Sequence, residues 1–184
     1  MTENKLPAAG SREPWLRGTL TDVPAVPRAV LHALELAKED IERWCGGLTE
    51  EELNARPCGI APAAFHVRHI ARSLDRLLTY AEGNSLSSEQ WAALKTELDP
   101  AAKPDEVFDE FRSAMEKSAE RVRNFDVADL EQARGVGGKQ LRTTAGGLLV
   151  HVADHTQRHV GQAITTAKIV LGGRKQEFSA PPEK

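Results

Sequence analysis

The chain has little cysteine, with only Cys45 and Cys58 among its 184 residues. Neither sits in a Cys-x-x-Cys pair, so nothing supports a disulfide framework or a thiolate zinc site, and both read as ordinary reduced thiols. Long apolar runs are missing as well. No continuous segment approaches the roughly 20 residues that span a bilayer, and the amino-terminal MTENKLPAAGSREPWLRG lacks the apolar stretch of a secretory signal. A cytoplasmic protein with no membrane partner is expected. Positive charge is not in excess either: 24 Lys and Arg against 27 Asp and Glu leave a formal net charge of -3. That balance argues against a broad nucleic-acid-binding face, so no nucleic-acid partner is expected. Strand signals are few and no internal repeat is seen.

What the chain does have is enough apolar material, at 40% of residues, for one globular domain that buries roughly 70% of its unfolded surface. Residues 1–20 carry Pro7, Gly10, Pro14 and Gly18 and are expected to form a flexible or loosely docked arm. The domain proper is expected over 21–171, and residues 172–184 as a flexible tail.

Within the domain, Val30, Leu34, Ala37, Ile41, Trp44 and Leu48 recur at steps of four and three after Pro24 and Pro27, and Gly46-Gly47 closes this first helix. Thr49 with Glu52 has the form of a capping box. A second helix is expected from near Ala61 to Glu82, ended by Gly83-Asn84. Ser87 with Gln90 marks another capped start, for a short connector carrying Trp91, Leu94 and Leu98. From Pro104 the residues Phe108, Phe111, Met115, Ser118, Val122 and Phe125 define a further amphipathic helix. The glycine-rich stretch from Ala133 to Leu141 is read as a loop, with Thr143 or Thr144 capping the last helix. That helix is expected to run about 40 Å to Leu171 and to stop at Gly172-Gly173. Four long helices of similar length predict an all-α four-helix bundle with short extra helices.

The most informative run is LLVHVADHTQRHVGQAITTAKIV. His151, His155 and His159 step by four and share one face of the last helix. Leu148, Val152, His155, His159, Gln162, Thr166 and Ile169 follow the spacing of a packing seam, which sets two imidazoles where a bundle would place leucine. A buried imidazole needs partners for its ring nitrogens, because an unsatisfied buried polar group costs roughly 1–3 kcal/mol. A metal ion is one such partner, and core carboxylates or carbonyls are the alternative. Further ligands have to come from a neighbouring helix. In the second helix His66, Ser73, Arg76 and Tyr80 all fall within about 60° of His69 around the axis. His69 is favoured over His66 because it lies deeper in the helix, and His66 and His151 remain in the candidate set. His32 lies on another flank of the first helix and reads as a surface or boundary residue.

Taken together, AFHVRHIARSLDRLLTYAEG and HVADHTQRHVGQ resemble the DinB-like superfamily, the metal-binding four-helix proteins that include bacillithiol and mycothiol transferase-like enzymes. The resemblance spans roughly residues 24 to 171. It implies an all-helical fold, frequent homodimers, and a metal held by one histidine of the second helix and two of the last. On this chain those are His69, His155 and His159.

Three histidines leave a divalent metal at least one open position, as in catalytic rather than structural zinc sites, and imidazole donors suit zinc or nickel. Such a centre can activate a thiol towards an electrophile, or a water towards an ester or amide. The resemblance favours a small-molecule thiol and its electrophile as partners. The absence of a His-Glu-x-x-His glutamate weakens the hydrolase reading, and a non-catalytic metal-binding bundle is the third possibility. Arg76 and Arg158 are candidates for binding a carboxylate of the thiol. Gln162 and Tyr80 are candidates for holding an imidazole or substrate and for donating a proton, and Asp154 for a hydrogen bond to the neighbouring histidine.

Overall fold

The computed structural model describes residues 12–98 and 101–177. Four long helices carry the architecture: α1 (Ala25–Cys45), α3 (Ala63–Ala81), α5 (Pro104–Arg123) and α6 (Ala145–Glu177). Two short ones, α2 (Glu50–Asn54) and α4 (Ser88–Lys95), sit in the connections. α6 packs against both α1 and α3, and α5 packs against the same two helices. The order around the bundle is therefore α1, α6, α3, α5, which leaves the consecutive long helices α1 and α3 diagonal to each other.

Local chemistry accounts for most of the boundaries. Pro24 precedes the first turn of α1 and Pro104 occupies that of α5, where a missing N–H costs nothing. Both expected capping boxes form: Thr49 accepts from the Glu52 N–H and Ser87 from the Gln90 N–H, and the side chains of Glu52 and Gln90 return to the cap N–H groups. α3 ends at Gly83, whose left-handed φ of 84° lets the Asn84 N–H reach back to the Thr79 carbonyl. Of the two candidate caps for α6, Thr144 is the one used, its Oγ1 accepting from the Gly147 N–H at 3.0 Å.

Several expectations need correction. The stretch read as a loop is a β-hairpin, β1 (Ala133–Val136) and β2 (Leu141–Thr144), with Ala133 opposite Thr144 and Val136 opposite Leu141. Its turn uses left-handed backbone at Gly137 and Gln140, and Arg134 donates to the Ala81 carbonyl at the end of α3. α6 also does not stop at Gly172-Gly173 but continues to Glu177. Two glycines cost about 1 kcal/mol each in a helix interior and do not end a helix unless one adopts a capping conformation. Finally, His32 is buried rather than superficial, its Nε2 lying 3.2 Å from Thr19 Oγ1.

Part of the amino-terminal arm is described. A short turn at Pro14–Leu16 lies on α1, and Arg17 forms a two-point ion pair with Glu39. Residues 1–11 and 178–184 lie outside the described part.

The core gathers Val30, Leu34 and Ile41 of α1 with Val67, Ile70 and Leu74 of α3, Val107, Phe111 and Val122 of α5, and Leu149, Val152 and Val160 of α6. Along α6 the buried stripe is Leu149, Val152, Thr156, Val160, Ala163 and Ala167. This matches the expected seam only in part: its Leu148, Val152 and Thr166 are buried, His155 and His159 are half-buried, and Gln162 and Ile169 are exposed. Because α6 fits between two helices, its buried arc is centred between them and the histidines fall on the margin towards α3.

Candidate metal centre

The first turns of α3 meet the middle of α6, and four imidazoles converge there. His69 Nε2 lies 2.9 Å from His155 Nε2, and the His69 and His159 rings are 4.3 Å apart between centroids. One nitrogen from each of His69, His155 and His159 lies within 4.8 Å of the others. His66, one turn before His69 and buried, sets its Nδ1 3.0 Å from His159 Nδ1. Phe65 closes one side, stacked on His69 with ring centroids 5.3 Å apart.

The helical register explains the meeting. His155 and His159 are one turn apart on α6, and His66 and His69 are one turn apart on α3, so two adjacent rungs on each helix face each other. All three of His66, His155 and His159 are held in the neutral form at ordinary pH. Burial, with a smaller electrostatic contribution from neighbouring groups, brings His66 and His155 down to about 4 and His159 to about 3. Neutral imidazoles are the form in which histidine binds metals.

Behind His69 stands Glu97, which sequence reasoning did not single out. It lies just past α4 and is 5% exposed; Oε2 is 2.7 Å from His69 Nδ1, and Oε1 accepts from Arg76 Nη1 at 2.7 Å. Burial alone would raise this carboxyl, but the hydrogen bonds from His69 and Arg76 outweigh it and hold Glu97 below the usual glutamate value. Nothing in the local sequence marks Glu97, since its partner is 28 residues away and is reached only once the connector folds back. Phe65 was missed for a simpler reason: it reads as one more apolar residue on an amphipathic helix.

The remaining candidates divide. Arg158 and Gln162 line an open groove of about 550 Å³ with Ile60, Ala61, His66 and Thr165, so both share a groove with His66. Arg158 also pairs with Asp154 at 2.9 Å. Arg76 reaches the site only through Glu97. Tyr80 is not brought to it: three turns further along α3, it is buried with Ala81 and Leu148 and lines a separate cavity beside the hairpin. His151 follows His155 at a ring separation of 5.2 Å, but it is nearly half exposed and its Nδ1 faces Asp154 at 3.4 Å. Asp154 thus serves His151 and Arg158. No described helix is long and apolar enough to cross a membrane.

The donor set suits a divalent cation. Three imidazoles converge, and the ring nitrogen of His69 that faces away from the other two lies against a buried carboxylate, the arrangement that orients metal-binding histidines.

Among solved structures the fold is similar to that of YfiT from Bacillus subtilis, described as "a probable metal-dependent hydrolase with an unusual four-helix bundle topology". The TM-score is 0.59 at 15% identity, over 79% of this chain and 87% of that one. No curated protein sequence matches the chain. The family model of the DinB superfamily matches residues 33–163, a span that takes in most of the bundle and every histidine of the cluster. The chain belongs to the DinB superfamily.

Proposed function

We propose that the protein is a metal-dependent transferase in which His69, His155 and His159 hold one divalent ion, zinc or nickel, and a low-molecular-weight thiol is joined to an electrophile. The observation that carries the metal site is the convergence of three imidazoles with His69 backed by Glu97. A divalent ion bound by three histidines keeps an open position, where it lowers the pKa of a thiol or water and polarises an electrophile.

The chain's own groups favour the thiol over water. Hydrolysis of an amide is helped by a general base that takes a proton from water, and the carboxylate against these imidazoles, Glu97, already has both oxygens engaged by His69 and Arg76. A thiol needs only to lose its proton to solvent. Its sulfur then forms the new bond to carbon as the leaving group departs with its electron pair. In this reading Arg158 and Gln162, on the groove beside His66, would hold a carboxylate of such a thiol, while Phe65 shields one side of the cluster. The description of YfiT keeps a hydrolase as the second reading.

The test is to reconstitute the protein with zinc or nickel and offer a small thiol with 1-chloro-2,4-dinitrobenzene, and separately p-nitrophenyl acetate without thiol. Thioether formation that requires metal and is lost in His155→Ala is the expected result. Metal-dependent ester hydrolysis with no thioether would favour the hydrolase. Neither reaction in a metal-loaded protein would favour a non-catalytic bundle.

A further inference from the structure

We infer that Glu97 is a positioning residue of the metal centre: anchored by Arg76, its carboxylate fixes the ring of His69 with Nε2 turned into the site. This rests on the metal-binding reading above and adds the connector between α3 and α5 to the centre.

Glu97 is a buried carboxylate with a nitrogen partner on each oxygen, His69 Nδ1 and Arg76 Nη1, both at 2.7 Å. The two partners lie seven residues apart on one face of α3, so the carboxylate bridges two turns of the helix that supplies a ligand. An Nδ1 facing a carboxylate carries the proton, which leaves the Nε2 lone pair pointing at His155 Nε2, 2.9 Å away.

Glu97 is not the connector's only tie. Arg72 already ties it down, donating to the Ala93 carbonyl and Thr96 Oγ1 while paired with Glu110. On the far side, Asn54 makes two hydrogen bonds to the Ala102 backbone. A buried ion pair that is one tie among several and is aimed at a ligand ring is better explained by the ring. His159 has a different partner, the uncharged His66, so the loss of Glu97 removes the charged support from the site.

The experiment measures zinc affinity by competition with a chromophoric chelator, and the visible spectrum of the cobalt-substituted protein. The variants are Glu97→Gln, Arg76→Met, the double variant, and Leu94→Ala on the exposed side of α4 as a control. Glu97→Gln is expected to weaken zinc binding about 10–100-fold and to change the cobalt band, the usual scale for removing such a support. Arg76→Met is expected to lose less. The double variant should bind no more weakly than Glu97→Gln, because Arg76 acts through Glu97. Leu94→Ala should bind as the wild type does.

Wild-type affinity and an unchanged cobalt spectrum in Glu97→Gln would overturn the inference, as would an equal loss in Leu94→Ala. If Glu97→Gln does not fold, Arg76→Met decides: weakened zinc binding supports the inference and unchanged binding overturns it. A wild-type chain that binds no zinc would overturn the metal-centre reading itself, and this shows before any substitution is made.

Discussion

Two stripes run side by side along α6. Leu149, Val152, Thr156, Val160, Ala163 and Ala167 face the bundle interior and are almost wholly buried; His155 and His159, one step around the helix, are only partly so. The first stripe holds α6 between α1 and α3 and the second meets the histidines of α3. Fold and candidate chemistry thus share a helix while depending on different residues, so each stripe can be damaged without the other.

The largest effect should come from the apolar stripe. Leu149 is fully buried, and Leu149→Ala is expected to cost about 2–5 kcal/mol in denaturant unfolding, with metal binding per folded chain unchanged. Loss of metal binding in a folded Leu149→Ala protein would show that the stripes are coupled.

Acid should act on the histidine side of the comparison in the metal-free protein. Folded His66, His155 and His159 titrate at about 4, 4 and 3, against an ordinary 6.5. As pH falls below about 6.5 the unfolded chain takes up protons that the folded chain refuses, so stability drops until the folded values are passed. Glu97, held below its ordinary 4.5, gives up its contribution only beneath that value, so the window from 6.5 to 4.5 belongs to the imidazoles. Urea midpoints of chelator-treated protein should fall across this window, and fall less in His155→Ala. A flat profile would mean that these rings are protonated in the fold.

Removing one imidazole should matter less to stability. His159→Ala is expected to stay within about 1 kcal/mol of the wild type at pH 7, since the ring is partly exposed and packs against polar neighbours. The smallest effect belongs to His151→Ala. With its ring nearly half exposed and turned to Asp154, it should change neither the thermal midpoint nor zinc affinity; a clear drop in affinity would add His151 to the ligand set.

Much of this was legible in the sequence because it is local. Capping boxes at Thr49 and Ser87, proline starts at Pro24 and Pro104, and the i, i+4 spacing of His155 and His159 are decided within a turn or two of helix. What escaped depends on distant partners. The four-residue strands are too short to show a period, and their pairing is set by the turn at Gly137 to Gln140. The buried arc of α6 depends on packing against two helices at once, which a single seam cannot express. Glu97 meets His69 only because Arg72 and Asn54 fold the connector back over α3. Tyr80 shares the angular strip of His69, yet eleven residues along a helix is about 16 Å, so a common face did not mean a common site.

The most direct measurement is the metal content of untagged protein, by elemental analysis after reconstitution with zinc or nickel, for the wild type and His155→Ala. One divalent ion per wild-type chain, lost in the variant while its helical circular dichroism is kept, is the expected result. Equal metal in the two proteins, or none in either, would contradict a centre built on His69, His155 and His159.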